Sequence, residues 1–485
     1  MSWRNGVVYQ IYPRSFQDSN EDGVGDLAGI TARLDHLTWL GVDALWVSPF
    51  YPSPLADFGY DVSDYVDVVP MFGSMPDFDR LVAAAHERGL KVLLDLVACH
   101  TSIQHAWFRD HPEWYIWSQG ERPPNNWTSA FGGAAWSRFQ DDKWYLHSFY
   151  PEQPDLDWRN PDVVAAMQEV VRFWVARGAD GFRLDAIDRL AKDPELRDDP
   201  LSDEPFGLPL LDHERGRDLR YSRNAEWIGE ALAAIRDAAG DALLIGEVYL
   251  PAAKHARYLE HLDRSFVFEL ILSPWEPGNL RAAIAAGAAG EGRSGPGAAW
   301  ALSNHDFGRF PTRFGRANER AAALMLMTLP GTATLYQGDE IGQGMGPGGD
   351  PPYDRVGRDM FRHPMQWDGT PRAGFSSAEP WLPLTDPAER NVAAQREDPD
   401  SLLWFWRELI ALRRDLAPGF RMLESDPGVI SYERGENVVA VNAGDAPAVA
   451  PPGEVVIATS ADVQRSRKLR PGDGVLVAPS YRATR

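Results

Sequence analysis

Short apolar runs alternate with amphipathic helical stretches along most of this chain. GVVYQIYP (6–13), VDALWVSP (42–49), KVLLDLV (91–97), ADGFRLD (179–185), ALLIGEV (242–248), SFVFELI (265–271), AWALSN (299–304) and TATLYQG (332–338) read as strands. Between them, MPDFDRLVAAAHERG and PDVVAAMQEVVRFWVARG repeat apolar residues every three or four positions and end in glycine, as capped helices do. Eight strands alternating with helices predict an α/β fold with a parallel sheet, and eight strands close a (β/α)8 TIM barrel. A doubly wound sheet is the alternative, but no glycine-rich phosphate loop accompanies it.

The rhythm breaks in three places. About 90 residues separate the third run from the fourth, where a βα unit needs roughly 30. The surplus, residues 101–158, is rich in Trp, Pro and Asn and reads as an inserted subdomain. Smaller irregular stretches, KDPELRDDPLSDEPFG (192–207) and IGQGMGPGGDPPYD (341–354), follow the fourth and eighth runs. All three fall after barrel strands, at the face where barrel active sites form. From residue 419 onward the runs VISYER, NVVAVNA, EVVIATS and GVLVAPS predict a small antiparallel β domain. The expected division is therefore a barrel of residues 1–100 and 159–418, an insertion of 101–158 and a C-terminal domain of 419–485.

Composition narrows the functional classes. With 485 residues, 44% of them apolar and 24% charged, the chain is that of a globular protein with a large core. Its formal charge of −22 disfavours nucleic acid and anionic membrane and suits a neutral substrate. No apolar stretch approaches a membrane span, and no signal peptide is apparent at the start. Cys99 is the only cysteine, so no intramolecular disulfide forms and a cytoplasmic location is expected.

The chemistry concentrates in GADGFRLDAID (178–188). Arg183 and Asp185 stand two apart at the end of an apolar run, so alternation puts them on one side of the strand. A guanidinium beside a carboxylate keeps it ionised and oriented, as a carboxylate nucleophile requires, although a buried ion pair has the same pattern. Two further carboxylates, Glu247 and Asp306, also follow apolar runs. Glu247 comes after Leu243, Leu244 and Ile245, where desolvation favours use as a general acid. Such a pair suits glycosidic cleavage with retention, and Asp306, beside His305, could hold substrate hydroxyls.

The motifs DLVACH (95–100), GFRLDA (181–186), GEVYL (246–250) and SNHD (303–306) resemble those of glycoside hydrolase family 13, the α-amylase superfamily. QPDLD (153–157) resembles the signature of its α-glucosidase and oligo-1,6-glucosidase branch, and YQIYPRSF, GYDVSDY, FGGAAW and RHPMQW add to the match. The resemblance implies Asp185 as nucleophile, Glu247 as acid/base and Asp306 as transition-state stabiliser. It implies that Arg183, His100 and His305 hydrogen-bond the nucleophile and sugar hydroxyls, and that Tyr60 stacks under the glucose ring. Asp57 and Arg358 align with residues that hold the non-reducing terminal glucose, with Arg362 a further candidate. Phe149 and Phe131 match aromatics on the aglycone side.

The implied activity is a retaining exo-α-glucosidase acting on small α-glucosides, without nucleic-acid or membrane partners, as a monomer or homodimer. A glucosyltransferase, or a trehalose- or isomaltose-active relative, shares the same residues. Ala186 after the nucleophile accompanies α-1,4 preference in this branch. The loop Asp18, Asn20, Asp22, Val24 and Asp26 spaces oxygen donors at every second position, as calcium loops do, and relatives bind Ca²⁺ or Mg²⁺ there. No organic cofactor is expected. Three residues depart from the family: Cys99 for Asn, Asp157 for Asn and His363 for Thr.

Overall fold

The computed structural model describes residues 2–203, 208, 216–289, 297–349 and 354–479. Eight parallel strands form a closed barrel in which each strand lies beside its neighbours in chain order. They are Val7–Ile11, Ala44–Val47, Lys91–Leu96, Gly181–Leu184, Leu243–Gly246, Arg264–Phe266, Gly297–Ala301 and Thr332–Tyr336. Strands one, two, four, five and eight are buried along their whole length, which is why they read as largely apolar runs rather than alternating ones.

One run is strand in its first part and helix in its second. SFVFELI pairs only as Arg264–Phe266, and Phe268–Leu272 turns into a short helix. Short apolar runs carry no periodicity that separates the two states, and Glu, Leu and Phe tolerate both. The two helices read from the sequence are present as Met75–Glu87 and Pro161–Ala176. In the second, Asn160 accepts from the Asp162 N–H, Pro161 opens the first turn, and Val163, Met167, Val170, Val171 and Trp174 form the buried stripe. Gly178 leaves it at φ +101, a conformation that a β-carbon would resist.

Two compact units divide the chain. One comprises Met1–Leu45, Glu87–Leu90 and Val267–Arg485, the other Trp46–His86 and Lys91–Phe266. Within the second, residues of the expected insertion form a three-stranded antiparallel sheet of Trp117–Gln119, Lys143–Leu146 and Trp136–Gln140. Ile116, Trp127, Ala135, Trp136 and Leu146 are its core, which accounts for the aromatic density of this stretch. Bridges between His100 and Asp155 and between Tyr115 and Leu156 bring the start and end of the excursion together beside the third strand.

Within the first unit, the four C-terminal runs pair as Val429–Arg434, Asn437–Asn442, Gly474–Ala478 and Glu454–Ala458, with Phe420–Met422 as an added edge. A helix, Ala461–Ser466, and a two-residue ladder, Ala448–Val449 with Lys468–Leu469, were not legible in the sequence. Among the described residues no helix is long and apolar enough to cross a membrane. The stretches 192–207 and 341–354 lie partly outside the described residues.

Candidate active site

In the second unit, strands three, four and five each deliver a charged side chain to one cluster. Asp95 and Arg183 are register partners on strands three and four. Asp185 is the first residue past strand four, and its N–H still bonds Leu96 O. Glu247 is the first past strand five, bonded to Leu184 O. Arg183 Nη1 donates to Asp95 Oδ1 at 2.7 Å and to Asp185 Oδ1 at 2.6 Å, while Nη2 lies 2.5 Å from Glu247 Oε1. The alternation of Arg183 and Asp185 thus brings them together as expected.

One buried guanidinium serves three carboxylates. Burial by itself would lower the Arg183 pKa, but Asp95, Glu247 and Asp185 overcome it, and the group stays charged. Burial outweighs Arg183 at Asp95 and pushes its carboxyl upward. Asp95 also receives the Trp46 indole N–H at 3.1 Å and the Tyr60 hydroxyl at 3.0 Å. Asp95 is thus a part of the site that the sequence reading did not single out. Its only signal was a lone carboxylate inside the apolar run KVLLDLV, since a buried charge needs a partner.

Ala186, after the candidate nucleophile, adopts the left-handed conformation (φ 40, ψ 45). That is costly for a residue with a β-carbon, and here it aims the Ala186 N–H at Glu247 Oε2, 3.1 Å away. The backbone at Asp185 therefore helps to place the carboxyl of Glu247.

Tyr60, His100, Asp57 and Phe149 line the same unit. The His100 ring meets Phe149 edge-on at 5.1 Å, and Phe149 lies 5.4 Å from Phe131. Burial lowers the His100 pKa to about 4, so the ring is neutral at ordinary pH. Gln153, of QPDLD, donates to Asp57 Oδ2 at 3.0 Å and lies 3.5 Å from His100 Nε2. The thiol of Cys99 donates to Arg189 O at 3.4 Å and receives Lys192 Nζ at 3.6 Å. Burial pushes that thiol up to about 12, so it remains protonated and inert. Asp157 holds Arg159 at 2.8 Å at the surface.

The first unit carries the third candidate carboxylate. Asp306 Oδ1 receives Arg358 Nη1 at 3.0 Å and Arg362 Nη2 at 2.9 Å. His305 Nε2 lies 3.2 Å from Asp306 Oδ2, and Gln10 Nε2 lies 2.8 Å from His305 Nδ1. An amide NH₂ only donates, so Nδ1 accepts and Nε2 carries the proton given to Asp306. Asn304 Oδ1 accepts the Asp306 N–H at 2.8 Å, and Tyr12 stacks on His305. Arg362, fully buried and also bonded to His305 O, is as close a partner of Asp306 as Arg358. Gln10 sits in YQIYPRSF, but no spacing rule connects it with a residue 295 positions away.

The donors of the 18–26 loop are all oxygens, as calcium prefers. Many already accept hydrogen bonds from the loop itself. Asp18 takes the N–H groups of Asn20, Glu21 and Gly23 and the Ser376 hydroxyl. Asn20 takes Asp22 N–H and Asp22 takes Val24 N–H. Asp26 takes Ser19 and caps the helix Leu27–Ala32 through Gly29 N–H. Among the described residues no three His, Cys, Asp or Glu side chains gather as a metal-binding group.

Known proteins resemble this chain in sequence and fold. Residues 10–418 match the Alpha-amylase family, described as "Alpha amylase, catalytic domain". A probable alpha-glucosidase of Rhizobium meliloti (strain 1021) is 41% identical over 462 residues, covering 85% of this chain and 82% of that protein. The alpha-glucosidase of Apis mellifera is 37% identical over 480 residues, 89% of this chain and 83% of that one. Among solved structures, an alpha-glucosyl transfer enzyme aligns with a TM-score of 0.87 at 36% identity over 98% of each chain. The trehalulose synthase of Pseudomonas mesoacidophila MX-45 aligns with a TM-score of 0.87 at 30% identity over 98% of this chain and 99% of that one. On this agreement of sequence, barrel and strand-end carboxylates, the chain belongs to glycoside hydrolase family 13, the α-amylase family.

Proposed function

We propose that this protein is a retaining, exo-acting α-glucosidase that hydrolyses terminal non-reducing α-glucosidic bonds of disaccharides and short oligosaccharides, with α-1,4 bonds preferred. The observation that carries the reading is Arg183, which grips Asp185 and Glu247 at the ends of adjacent strands. In this reading Asp185 attacks the anomeric carbon while Glu247 protonates the leaving oxygen, giving a β-linked glucosyl-Asp185 ester. Glu247, now a carboxylate, takes a proton from water as that water displaces Asp185, and the product keeps the α configuration. Arg183 keeps the leaving and attacking forms of Asp185 ionised and oriented. Asp306, held by His305, Arg358 and Arg362, receives sugar hydroxyls as positive charge develops on the ring.

Asp57 and Arg358 hold the terminal glucose in this reading, Tyr60 stacks beneath it, and Phe149 faces the aglycone. The methyl group of Ala186, the smallest β-substituent, leaves space beside Asp185 for an α-1,4-linked acceptor unit. Glucosyl transfer is the second reading, favoured by structural neighbours whose names describe transfer and trehalulose synthesis. A time course of products from maltose, isomaltose, trehalose and sucrose at matched high concentration separates them. Glucose alone, released fastest from maltose, is the expected result. Accumulating tri- and tetrasaccharides, or a preference for another disaccharide, contradicts it.

A Ca²⁺ or Mg²⁺ ion in the 18–26 loop belongs to the same reading, supported by the all-oxygen donor set at alternate positions. Because hydrogen bonds already close much of the loop, the ion's contribution is expected to be modest. Chelation should lower Tm by about 2–4 °C, the shift of ~1 kcal/mol in a large domain, and added Ca²⁺ should restore it. An unchanged Tm contradicts the assignment. Cytoplasmic residence, supported by a single, buried cysteine, and a monomer or homodimer complete the proposal.

A further inference from the structure

Gln153 is wholly buried, and nothing in the double displacement requires it. Its amide is nonetheless fixed at every atom. Oε1 accepts the Tyr150 N–H at 3.0 Å, and an N–H can only donate, which settles the orientation of the amide. Nε2 therefore faces Asp57, donating to Oδ2 at 3.0 Å, with His100 Nε2 at 3.5 Å. The backbone carrying Gln153 is anchored two residues later. Asp155 accepts Ser148 N–H at 2.9 Å and Ser148 Oγ–H at 2.5 Å, and Lys192 Nζ lies 2.6 Å from it. Against its complete burial, Lys192 and Ser148 keep the Asp155 carboxylate ionised.

On the other side, Asp57 sits in a turn organised by Asp61, whose carboxylate accepts the N–H groups of Ala56 and Asp57 and the Ser53 hydroxyl. Asp57 is thus held by its backbone from one loop and by its carboxylate from another. We propose that Gln153 is a positioning and specificity-determining residue, which fixes the Asp57 carboxylate and so sets how tightly the non-reducing end of the substrate is held. The proposal rests on the reading that Asp57 holds the terminal glucose. Through this contact the first residue of QPDLD couples the inserted segment to the grip on the sugar.

The test is steady-state kinetics on p-nitrophenyl α-glucoside and maltose with Gln153→Ala, Gln153→Glu, Asp57→Ala and the Asp57→Ala/Gln153→Ala pair. Losing a donor to a buried carboxylate should raise KM about 10–100-fold in Gln153→Ala while kcat stays within about 3-fold. In the Asp57→Ala background the same change should move KM by less than about 2-fold, since the two act through one contact. Gln153→Glu, close in shape to the parent and usable if Gln153→Ala fails to fold, supplies a pH signature. As a carboxylate it repels Asp57, whereas protonated it donates, so its KM should fall towards the parent's as pH is lowered.

A parental KM in Gln153→Ala, an effect that adds to that of Asp57→Ala, or a Gln153→Glu KM without this pH trend overturns the proposal. A parental KM in Asp57→Ala alone overturns the reading of Asp57 itself, and that single variant tells the two failures apart.

Discussion

Replacing Asp185 by Asn should leave the fold intact and lower kcat on p-nitrophenyl α-glucoside by about 10⁴-fold or more, the scale seen when a nucleophile is removed. The amide keeps the size and the hydrogen-bonding oxygen that faces Arg183 Nη1, but it cannot form the glucosyl ester. The fold is expected to hold because Arg183 retains Asp95 and Glu247 as partners. The substitution removes one negative charge from the cluster, so it loses repulsion from the neighbouring carboxyl groups as well as attraction to Arg183. Asp185→Ala extends the test. With space opened at the nucleophile's position, added azide should attack the anomeric carbon directly and give β-glucosyl azide from an activated α-glucoside. A kcat within about tenfold of the parent in Asp185→Asn would remove Asp185 from the mechanism.

Arg183→Met should be the most destabilising single change in the barrel, costing about 3–5 kcal/mol, as expected when one partner of a buried ion pair is removed. Asp95, Asp185 and Glu247 would lose their common counter-charge, and the contacts with the Trp46 and Tyr60 rings would change as well. The loss should depend on pH in a definite direction. Burial already raises the Asp95 pKa with Arg183 in place, and without the guanidinium that rise loses its largest opposing influence, leaving the Trp46 and Tyr60 hydrogen bonds. A group whose folded pKa lies above its unfolded value contributes stability below the unfolded value and loses it as pH rises through the folded one. The deficit of Arg183→Met relative to the parent should therefore be smaller near about pH 5 than near about pH 8 in urea unfolding. A deficit below about 1 kcal/mol, or one that grows as pH falls, contradicts this description of the cluster.

The barrel could be read from the sequence because its strands are buried on both faces and therefore form largely apolar runs. The exception is instructive, for in SFVFELI the pairing stops at Phe266 and the following residues coil. Nothing local distinguishes those two outcomes, which depend on what the segment packs against. Arg183 and Asp185 were legible as a pair because alternation along one strand is a local rule. Arg183 and Asp95, 88 residues apart, were not, since their meeting depends on the register between two strands.

The same limit hid Gln10 behind His305 and Gln153 behind Asp57, where neutral side chains leave no trace in charge or periodicity. Arg362 stood among the candidates for the sugar-binding rim, but its place on Asp306 beside Arg358 emerges only from the fold. Cys99 shows the complement. A thiol cannot reproduce an amide's bonds. Among the described residues, Sγ meets the Arg189 carbonyl and Lys192, while the strong contact of Lys192 goes to Asp155.

The most direct test of the account is to trap the covalent intermediate. Incubation with 5-fluoro-α-glucosyl fluoride, which forms the glucosyl-enzyme faster than water releases it, followed by proteolysis and mass spectrometry should place one fluoroglucosyl group on Asp185, within GFRLDA. A label on Glu247 or Asp306, or turnover of substrate to the β anomer without any labelled peptide, would contradict double displacement at Asp185.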